Sequence, residues 1–320
     1  LIPVNVHNAV GKKIDAIYGL TPDGKTAIME MASSCGLELL TPSEMNPMLT
    51  TSYGTGEMIQ SIIASGVRDI IIGIGGSATN DGGAGMAQAL GYKFKLADGR
   101  DQACGCSDGG LGEICGIDAS GVIPELKETR IRVACDVTNP LLGPNGATKV
   151  YSPQKGATPE VLEQLEANMA NYANVLIRKG LTQSCNKPGD GAAGGLGFGL
   201  RVLTGAEMVS GAKLMIELTG MKEHLINADL LITGEGCTDN QTLSGKLCQI
   251  VAETAAAANV PTILISGAVS GDIGKLLKSF TTVLSITPGP VPLQQALENS
   301  RNNLYNTAAG LTALIKRLKN

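Results

Sequence analysis

Short apolar runs, each followed at once by a polar, glycine-rich segment, recur along this 320-residue chain and limit the folds open to it. The clearest is Asp69-Ile-Ile-Ile-Gly-Ile, and residues 131–135 and 229–233 share its character. A continuous apolar run of this length is typical of a strand buried on both faces of a parallel sheet. From residue 228 onward such runs alternate with helical patterns, which indicates βαβ units. The chain is therefore predicted to be an α/β protein.

A chain of 320 residues has the length of two domains or of one large domain. The order of elements favours two: a larger α/β domain over residues 1–225, which carries glycine-rich loops, and a doubly wound, Rossmann-like or flavodoxin-like parallel sheet over residues 226–320. The elements predicted for the second domain are strands at 229–233, 262–266 and 282–286 and helices near 245–258, near 273–279 and from 293. Ligands of such sheets bind beyond the carboxyl ends of the strands.

The first domain is predicted to begin with a β-hairpin and to contain a long amphipathic helix. The hairpin covers residues 10–32, with its turn at Pro22-Asp23-Gly24. Apolar residues keep a period of 3.6 from Pro159 to Lys179, and Thr158 stands at the N-cap position. The other elements predicted here are helices at 54–64 and 83–90, strands at 69–74 and 131–135, and an irregular excursion at 92–130.

Charge and cysteine usage exclude several classes of protein. The formal net charge is −4 and no stretch of basic residues stands out, so neither nucleic acid nor an anionic membrane is an expected partner. No apolar run approaches the ~20 residues that span a bilayer, and the first ten residues lack a signal-peptide pattern. Eight cysteines without a Cys-x-x-Cys pair, beside two histidines, favour reduced thiols in a cytoplasmic protein over a zinc site.

The first candidate binding loop, Gly73-Ile-Gly-Gly-Ser-Ala-Thr-Asn-Asp-Gly-Gly-Ala-Gly, directly follows the strand at 69–74. Glycines let the backbone approach phosphate oxygens, and the start of the next helix offers free N–H groups. The predicted binding residues are Gly75, Gly76, Ser77, Thr79 and Asn80. Asp81 is predicted to hold Mg²⁺ or to accept a substrate proton, and the alternative is a helix N-cap in a plain turn. The loop lacks the lysine and the spacing of a Walker A motif.

A second polar segment follows the strand at 131–135. Asp136 stands directly after that apolar run, where a buried carboxylate is costly unless a metal, a donor or a ligand meets it. Asn139 is a predicted binding residue, although Asn139-Pro140 is also typical of a turn with solvated polar groups. Lys155 lies just before a helix start, where a cation can contact phosphate.

A third segment contains six glycines between residues 189 and 199. This density is too high for ordinary helix packing. Gly194 and Gly195 are the predicted binding positions. The segment either wraps a ligand or forms a hinge between domains, and both interpretations stay open.

The fourth segment, residues 233–246, follows the strand at 229–233. It supplies two carboxylates, Glu235 and Asp239, and a cation, Lys246. Phosphoryl transfer depends on positioning and on neutralisation of charge, so carboxylates for Mg²⁺ and a lysine for phosphates are suitable groups. Polar clusters after three separate strands favour a functional site over unrelated turns.

Together these segments resemble the first, bacterial-type family of glycerate kinases. The matching segments follow the family's order across essentially all of the chain: Ala27-Ile-Met-Glu-Met-Ala, Gly36-Leu-Glu-Leu-Leu, Thr50-Thr-Ser-Tyr-Gly-Thr-Gly-Glu, the loop from Gly73, Ala134-Cys-Asp-Val-Thr-Asn-Pro-Leu, Pro153-Gln-Lys-Gly-Ala-Thr, Gly191-Ala-Ala-Gly-Gly and Thr233-Gly-Glu-Gly. The resemblance implies a kinase that uses ATP and Mg²⁺ to phosphorylate D-glycerate to 2- or 3-phosphoglycerate on two α/β domains.

With this activity in view, the polar residues divide into three predicted roles. The predicted catalytic residues are Asp81, Asp136, Asp239 and Lys246. The predicted Mg²⁺ ligands are Asp136, Glu235 and Asp239. Lys155 and Lys246 are expected to neutralise phosphates or the glycerate carboxylate. A homodimer is one oligomeric state left open.

Three departures from the family's pattern carry expectations of their own. The family opens with a strand and an Ala-Pro-Asp-Ser-Phe-Lys-type loop, followed by an Asp-Gly-Gly-Glu-Gly segment. Neither is present here, so we expect an N-terminally shortened member that lacks the strands completing the second domain. Cys237 stands where the family carries arginine, which removes a partner for a carboxylate or phosphate. Asp190 adds a negative charge to the glycine-rich loop, which is expected to weaken binding of an anionic substrate.

Two other functions stay open. A dinucleotide-dependent oxidoreductase would also use glycine-rich loops after strands, but Gly73-Ile-Gly-Gly-Ser-Ala does not match Gly-x-Gly-x-x-Gly. A non-catalytic protein that binds a small acid between two domains would share the same loops. His7 and His224 offer no good candidate for acid–base catalysis.

Overall fold

The computed structural model of the protein describes residues 1–103, 110–243 and 247–318. The chain divides into two compact units, Leu1–Ser210 and Gly211–Asn320. Both units mix helices with strands, which confirms the predicted α/β class. The domain division expected after residue 225 stays a prediction, and the structure groups residues 211–225 with the second unit.

Among the described residues, the first unit contains a six-stranded sheet with the order β1-β2-β3-β4-β7-β8 and a separate β5-β6 hairpin. Its strands are β1 (Ile2–His7), β2 (Lys13–Leu20), β3 (Thr26–Glu30), β4 (Asp69–Gly73), β5 (Lys93–Leu96), β6 (Ile114–Asp118), β7 (Arg130–Ala134) and β8 (Glu207–Val209). Its α-helices are α1 (Ala32–Cys35), α2 (Tyr53–Ala64), α3 (Ala84–Ala89), α4 (Ala147–Tyr151), α5 (Pro159–Arg178) and α6 (Leu196–Gly199). β1 to β3 are antiparallel neighbours, and β3, β4, β7 and β8 run parallel.

The register of the central strands decides where their loops emerge. In β4 and β7, Gly73 pairs with Ala134, so the two strands end side by side. β3 ends level with them, because Glu30 pairs with Gly73. The loops that follow these strands therefore leave the same edge of the sheet, as parallel α/β sheets require of a ligand site.

Most predicted elements of the first unit are confirmed. The β2-β3 hairpin forms at the predicted turn, and α5 begins at Pro159 with the Thr158 side chain accepting from the Val161 N–H. Four strands of this unit were missed, among them the short edge strand β8. Ile2–His7 pairs antiparallel with β2, and the excursion expected at 92–130 contains the β5-β6 hairpin, because half-exposed edge strands carry a weaker apolar signal than buried ones.

The second unit contains the parallel sheet predicted for the C-terminal region, with the order β11-β10-β9 in the part of the chain that is described. Its strands are β9 (Leu231–Thr238), β10 (Thr262–Val269) and β11 (Thr282–Ser285). Its α-helices are α7 (Gly211–Leu218), α8 (Met221–Leu225), α9 (Leu247–Ala257), α10 (Ile273–Leu276), α11 (Leu293–Glu298) and α12 (Ser300–Leu318). β9 extends past the predicted end at residue 233, so Glu235 lies within the strand.

Aliphatic side chains form most of the cores, as the small number of aromatic residues requires. In the first unit, Ile70, Ile72 and Val133 are fully buried beneath α2 and its neighbours. The exception is a cluster in which Tyr172 of α5 makes edge-on ring contacts with Phe94 and Phe198. None of the described helices has the length and apolar content needed to cross a bilayer.

Candidate active site

The loop after β4 is held in place by the segment that precedes it in the sheet. The Leu37 N–H donates to the Gly76 carbonyl at 2.8 Å, and the Ala78 N–H donates to the Cys35 carbonyl at 2.9 Å. Gly76 has φ +68°, a conformation that glycine adopts without strain. These contacts fix the backbone of residues 75–78 before any ligand binds.

A cavity of about 330 Å³ opens between the loops that follow β4 and β7, and we call it cavity A. Its polar lining comes from Gly75, Gly76, Ser77, Asp136, Tyr151 and Gln154. In the described part of the chain, the N–H groups of Gly75, Gly76 and Ser77 donate to no acceptor. Backbone N–H groups facing a cavity can bind an anion. Cavity A therefore has donors on one wall and a carboxylate on another.

Asp136 lies on the wall of cavity A, but its environment differs from the expected one. The residue is exposed rather than buried. The argument that burial makes this carboxylate costly is therefore wrong, because water solvates it. An exposed carboxylate facing a cavity can accept a proton from a bound hydroxyl.

Asn139 supports cavity A indirectly. Its Oδ1 accepts a hydrogen bond of 2.7 Å from the Tyr151 hydroxyl, and its Nδ2 donates to the Asn145 carbonyl at 2.8 Å. Tyr151 lines the cavity, whereas Asn139 does not appear on its wall. These contacts agree with the turn interpretation of Asn139, and they also show that Asn139 holds the Tyr151 side chain in place.

Lys155 lies behind the wall of cavity A. It is 1% exposed, and its Nζ donates to the Ser77 hydroxyl and to the Thr79 carbonyl, both at 2.7 Å. Burial lowers the pKa of Lys155 to about 7, against an opposing attraction from Asp81. The cation predicted to contact phosphate therefore contacts the binding loop.

Asp81 is a buried structural junction, 3% exposed. Its carboxylate accepts from the N–H and hydroxyl of Ser52 at 2.7 and 2.9 Å and from the N–H groups of Gly83 and Gly85 at 3.1 and 3.2 Å. Burial raises the pKa of Asp81, and these hydrogen bonds oppose the rise. The donors at the start of α3 favour a structural role for Asp81 over a metal or base role, although the N-cap residue of α3 is Gly83 rather than Asp81. Its catalytic role stays a prediction.

Thr79 and Asn80 are also interior residues. Asn80 donates from Nδ2 to the Thr148 hydroxyl at 3.2 Å. Thr79 Oγ1 and Asn80 Oδ1 are buried without a partner among the described residues. Such atoms are the usual partners of buried water. These two predicted binding residues lie beneath the loop surface.

The glycines at 194 and 195 allow two loops to touch. Gly194 accepts from the Gly82 N–H at 3.1 Å, and a Cβ on Gly194 would lie 1.9 Å from the Thr79 carbonyl oxygen. A Cβ on Gly195 would lie 2.9 Å from Gly82 Cα. The glycine-rich segment is thus packed within the first unit, with Ala192 and Ala193 on the wall of cavity A.

The expectation that Asp190 repels an anionic substrate is wrong. Asp190 is fully buried, and its carboxylate accepts from Arg201 Nε at 2.7 Å and Nη2 at 2.8 Å. It also accepts from the Lys187 N–H at 2.9 Å. The guanidinium group neutralises the charge, so Asp190 presents none to a ligand.

The second unit carries its own polar cluster around Glu235. Glu235 accepts from the hydroxyls of Thr238 at 2.8 Å and Thr242 at 2.6 Å, and the Asp239 N–H donates to Thr242 Oγ1 at 3.3 Å. Glu235 lines a cavity of about 460 Å³ whose other walls include Ser266. Lys246 lies outside the described residues.

Sequence reasoning missed several lining residues. Tyr151 and Gln154 line cavity A, and Glu30 and Glu38 line an adjoining cavity of about 390 Å³ that shares Gly75 and Gly76 with it. Gln154 directly precedes Lys155 in Pro153-Gln-Lys, so its position was within reach of the sequence pattern. Glu30 ends β3, level with the end of β4, and only the strand register reveals this position.

Comparison with known proteins agrees with this architecture. The profile of the Glycerate kinase family matches residues 1–316. The chain is 41% identical to Glycerate 2-kinase of Escherichia coli (strain K12), over 97% of this chain and 81% of that protein. It is also 41% identical to Glycerate kinase of Bacillus subtilis (strain 168), over 98% and 82%.

Structural comparison gives the same result. The crystal structure of a protein assigned as glycerate kinase 2 from Salmonella typhimurium LT2 superposes with a TM-score of 0.82 at 40% identity. The match covers 99% of this chain and 83% of that one. Sequence and structure thus agree over nearly the whole chain, which belongs to the glycerate kinase family.

Proposed function

We propose that this protein is a kinase that transfers the γ-phosphoryl group of ATP to D-glycerate, giving 2- or 3-phosphoglycerate. The observation that carries the proposal is cavity A, which is lined by Asp136 and by Gly75, Gly76 and Ser77, whose N–H groups donate to no acceptor among the described residues. Its position at the carboxyl ends of parallel strands is the usual place for a ligand in such sheets. The names of the similar proteins support the same substrate class.

The chemistry of glycerate suits this lining. Its carboxylate needs hydrogen-bond donors, which the 75–77 backbone supplies, and its reacting hydroxyl needs a proton acceptor, which Asp136 supplies. In the step, a bond forms between the glycerate oxygen and the γ-phosphorus. The bond from that phosphorus to the bridging oxygen breaks, ADP leaves, and the hydroxyl proton passes to Asp136. Positioning and charge neutralisation account for most of the catalysis in such transfers.

Magnesium is part of the proposal, and the donor set allows it. The described residues contain no group of three or more His, Cys, Asp or Glu side chains arranged to hold a metal. Mg²⁺ is usually bound by one or two carboxylates together with substrate phosphates. Asp136, or Glu235 with Asp239, would suffice as protein ligands, and bound Mg²⁺ would neutralise charge on the phosphates. Lys246 is proposed to contribute a further positive charge.

The remaining expectations belong to the same proposal. The protein is proposed to act in the cytoplasm on glycerate and ATP, without nucleic acid or membrane partners. The net charge of −4 and the scattered cysteines support this setting. Homodimer formation stays a prediction.

The direct test is glycerate-dependent ADP release by the purified chain. We expect release with D-glycerate, ATP and Mg²⁺, and loss of it with EDTA. Phosphorus NMR of the product distinguishes 2- from 3-phosphoglycerate. Thermal stabilisation by glycerate without ADP release would instead show a non-catalytic small-acid-binding protein, and absence of both would overturn the proposal.

A further inference from the structure

We propose that Lys155 is a positioning residue that sets the direction of the Ser77 hydrogen bond and so commits the Ser77 hydroxyl proton to an anionic group of the ligand in cavity A. The inference rests on the proposed function, because it names how that cavity recognises the glycerate carboxylate. Lys155 itself is not expected to touch substrate.

The first step is the polarity of the Lys155–Ser77 contact. Lys155 Nζ lies 2.7 Å from Ser77 Oγ and 2.7 Å from the Thr79 carbonyl oxygen. An ammonium group donates hydrogen bonds and cannot accept one. Ser77 Oγ is therefore the acceptor of this bond, and its own proton must point elsewhere.

The second step is where that proton can go. Ser77 lines cavity A, while only 7% of its surface is exposed. Among the described residues, no protein acceptor receives a hydrogen bond from the Ser77 hydroxyl. Since a hydroxyl carries one proton, the direction that Lys155 leaves for it is the cavity.

The third step concerns the hydrogen-bonding groups that line this side of cavity A. The Ser77 hydroxyl joins the N–H groups of Gly75, Gly76 and Ser77 as a fourth donor, and the Lys155 charge lies directly behind them. A cluster of donors of this kind suits a carboxylate or phosphate oxygen better than an alcohol oxygen, which must also donate. Hydrogen bonds to charged groups contribute about 1.5–3 kcal/mol each.

The turn that carries Lys155 is fixed from outside. Lys155 ends a short 3₁₀ turn, Pro153–Lys155, whose next residue, Gly156, has φ +98°. A Cβ on Gly156 would lie 2.2 Å from the Met45 carbonyl oxygen. The close approach of these backbones holds the ammonium group against the loop, so its position does not depend on a ligand.

The charge state of Lys155 gives the inference a second readout. Asp81 is the buried charged group that bears on it, and Asp136 opens onto the same cavity. Burial lowers the pKa of Lys155 to about 7. Above that pH a neutral amine can accept from Ser77, which turns the hydroxyl proton away from the cavity. Affinity for an anion is then expected to fall.

A double-mutant cycle tests the inference. The dissociation constant of D-glycerate is measured by calorimetry for wild type, Lys155→Met, Ser77→Ala and the double variant. Each single variant is expected to bind at least about tenfold more weakly. The double variant is expected to bind no more weakly than Ser77→Ala, since Lys155 acts through that hydroxyl. Lys149→Met, the same substitution on the neighbouring α4, is the matched control and should bind as wild type does.

The outcomes separate the inference from the proposed function. Two results overturn the inference and leave the function intact. One is Ser77→Ala that turns over glycerate and binds it as tightly as wild type does. The other is a Lys155→Met substitution that weakens glycerate binding equally in wild type and in Ser77→Ala. If the four proteins bind glycerate with the expected pattern of affinities but wild type does not phosphorylate it, the proposed function alone is overturned. Absence of glycerate binding to wild type overturns the inference.

A pH series covers the case in which Lys155→Met does not fold. Wild type is expected to lose glycerate affinity between about pH 6 and about pH 8, because Lys155 loses its proton in that range. Ser77→Ala is expected to show no such loss. The same pH dependence in both proteins would contradict the role assigned to Lys155.

Discussion

Arg201 binds the carboxylate of Asp190 through two hydrogen bonds, which it donates from Nε at 2.7 Å and from Nη2 at 2.8 Å. Asp190 is fully buried, and the guanidinium group also lies 5.6 Å from the centre of the Phe198 ring. The pair anchors the start of the glycine-rich segment to the turn that follows α6. The residues that line cavity A from this side, Ala192 and Ala193, depend on that anchor.

Asp190→Asn is expected to destabilise the protein strongly. It leaves the largely enclosed Arg201 guanidinium group without its charged partner, and breaking one side of a buried ion pair costs about 3–5 kcal/mol. Denaturant unfolding of the wild type and the variant measures the difference. Asp98→Asn, which disrupts the exposed Asp98–Arg100 pair, is the control and should cost no more than about 1 kcal/mol. Equal losses in both variants would contradict the anchoring role.

Asp81→Asn is expected to lower stability rather than to remove only the chemistry. The substitution places an amide NH₂ among the donors of Ser52, Gly83 and Gly85, which then lose an acceptor. Leaving such buried donors unpaired costs at least about 2 kcal/mol. The thermal midpoint and kcat of the folded fraction are the measurements. An unchanged midpoint with a large loss of kcat would return Asp81 to the catalytic role.

Asp136→Asn is expected to behave in the opposite way. Because Asp136 is exposed on the wall of cavity A, its replacement should leave the unfolding midpoint unchanged. Loss of a general base typically lowers the rate by about 10²–10⁴, so kcat for glycerate phosphorylation should fall by that factor. Asp98→Asn is again the control. Full kcat in Asp136→Asn would move the proton acceptor elsewhere.

Gly194→Ala is expected to disrupt the first unit. Gly194 has φ +66°, and an added Cβ would lie 1.9 Å from the Thr79 carbonyl oxygen. Gly143→Ala is the matched control, since Gly143 has φ +90° but no atom within 4 Å of an added Cβ. The control should lose about 1–2 kcal/mol from backbone strain alone. Similar unfolding midpoints for the two variants would show that the loops can separate.

Stability should depend on pH through Lys155. Burial lowers its pKa from the ordinary value of 10.5 to about 7 in the folded protein, so between these two pH values the unfolded chain binds a proton that the folded protein has lost. The contribution of Lys155 to the free energy of unfolding therefore rises with pH across this window. Urea unfolding of the wild type against Lys155→Met, from pH 7 upward, measures it. The variant should lack the rise, and an identical slope would contradict the lowered pKa.

Several features of the site followed from the sequence alone. The apolar run before Gly73 and the run before Asp136 predict buried parallel strands, because only such strands dispense with polar alternation. Their carboxyl ends then predict where the loops gather. The glycines at 75 and 76 and the carboxylate at 136 could be placed on that edge without coordinates.

Tertiary structure alone decided which polar residues line cavity A. Asp81, Lys155 and Asp190 have the same residue types as surface groups, yet each is enclosed by other segments of the chain, 29, 78 and 11 positions away in sequence respectively. Ser52 approaches Asp81, Ser77 receives Lys155, and Arg201 neutralises Asp190. Burial and pairing depend on these long-range contacts, which local patterns do not encode. The sequence thus determined the strands and the edge where their loops meet, and packing between distant segments decided which side chains line the cavity and which support it from behind.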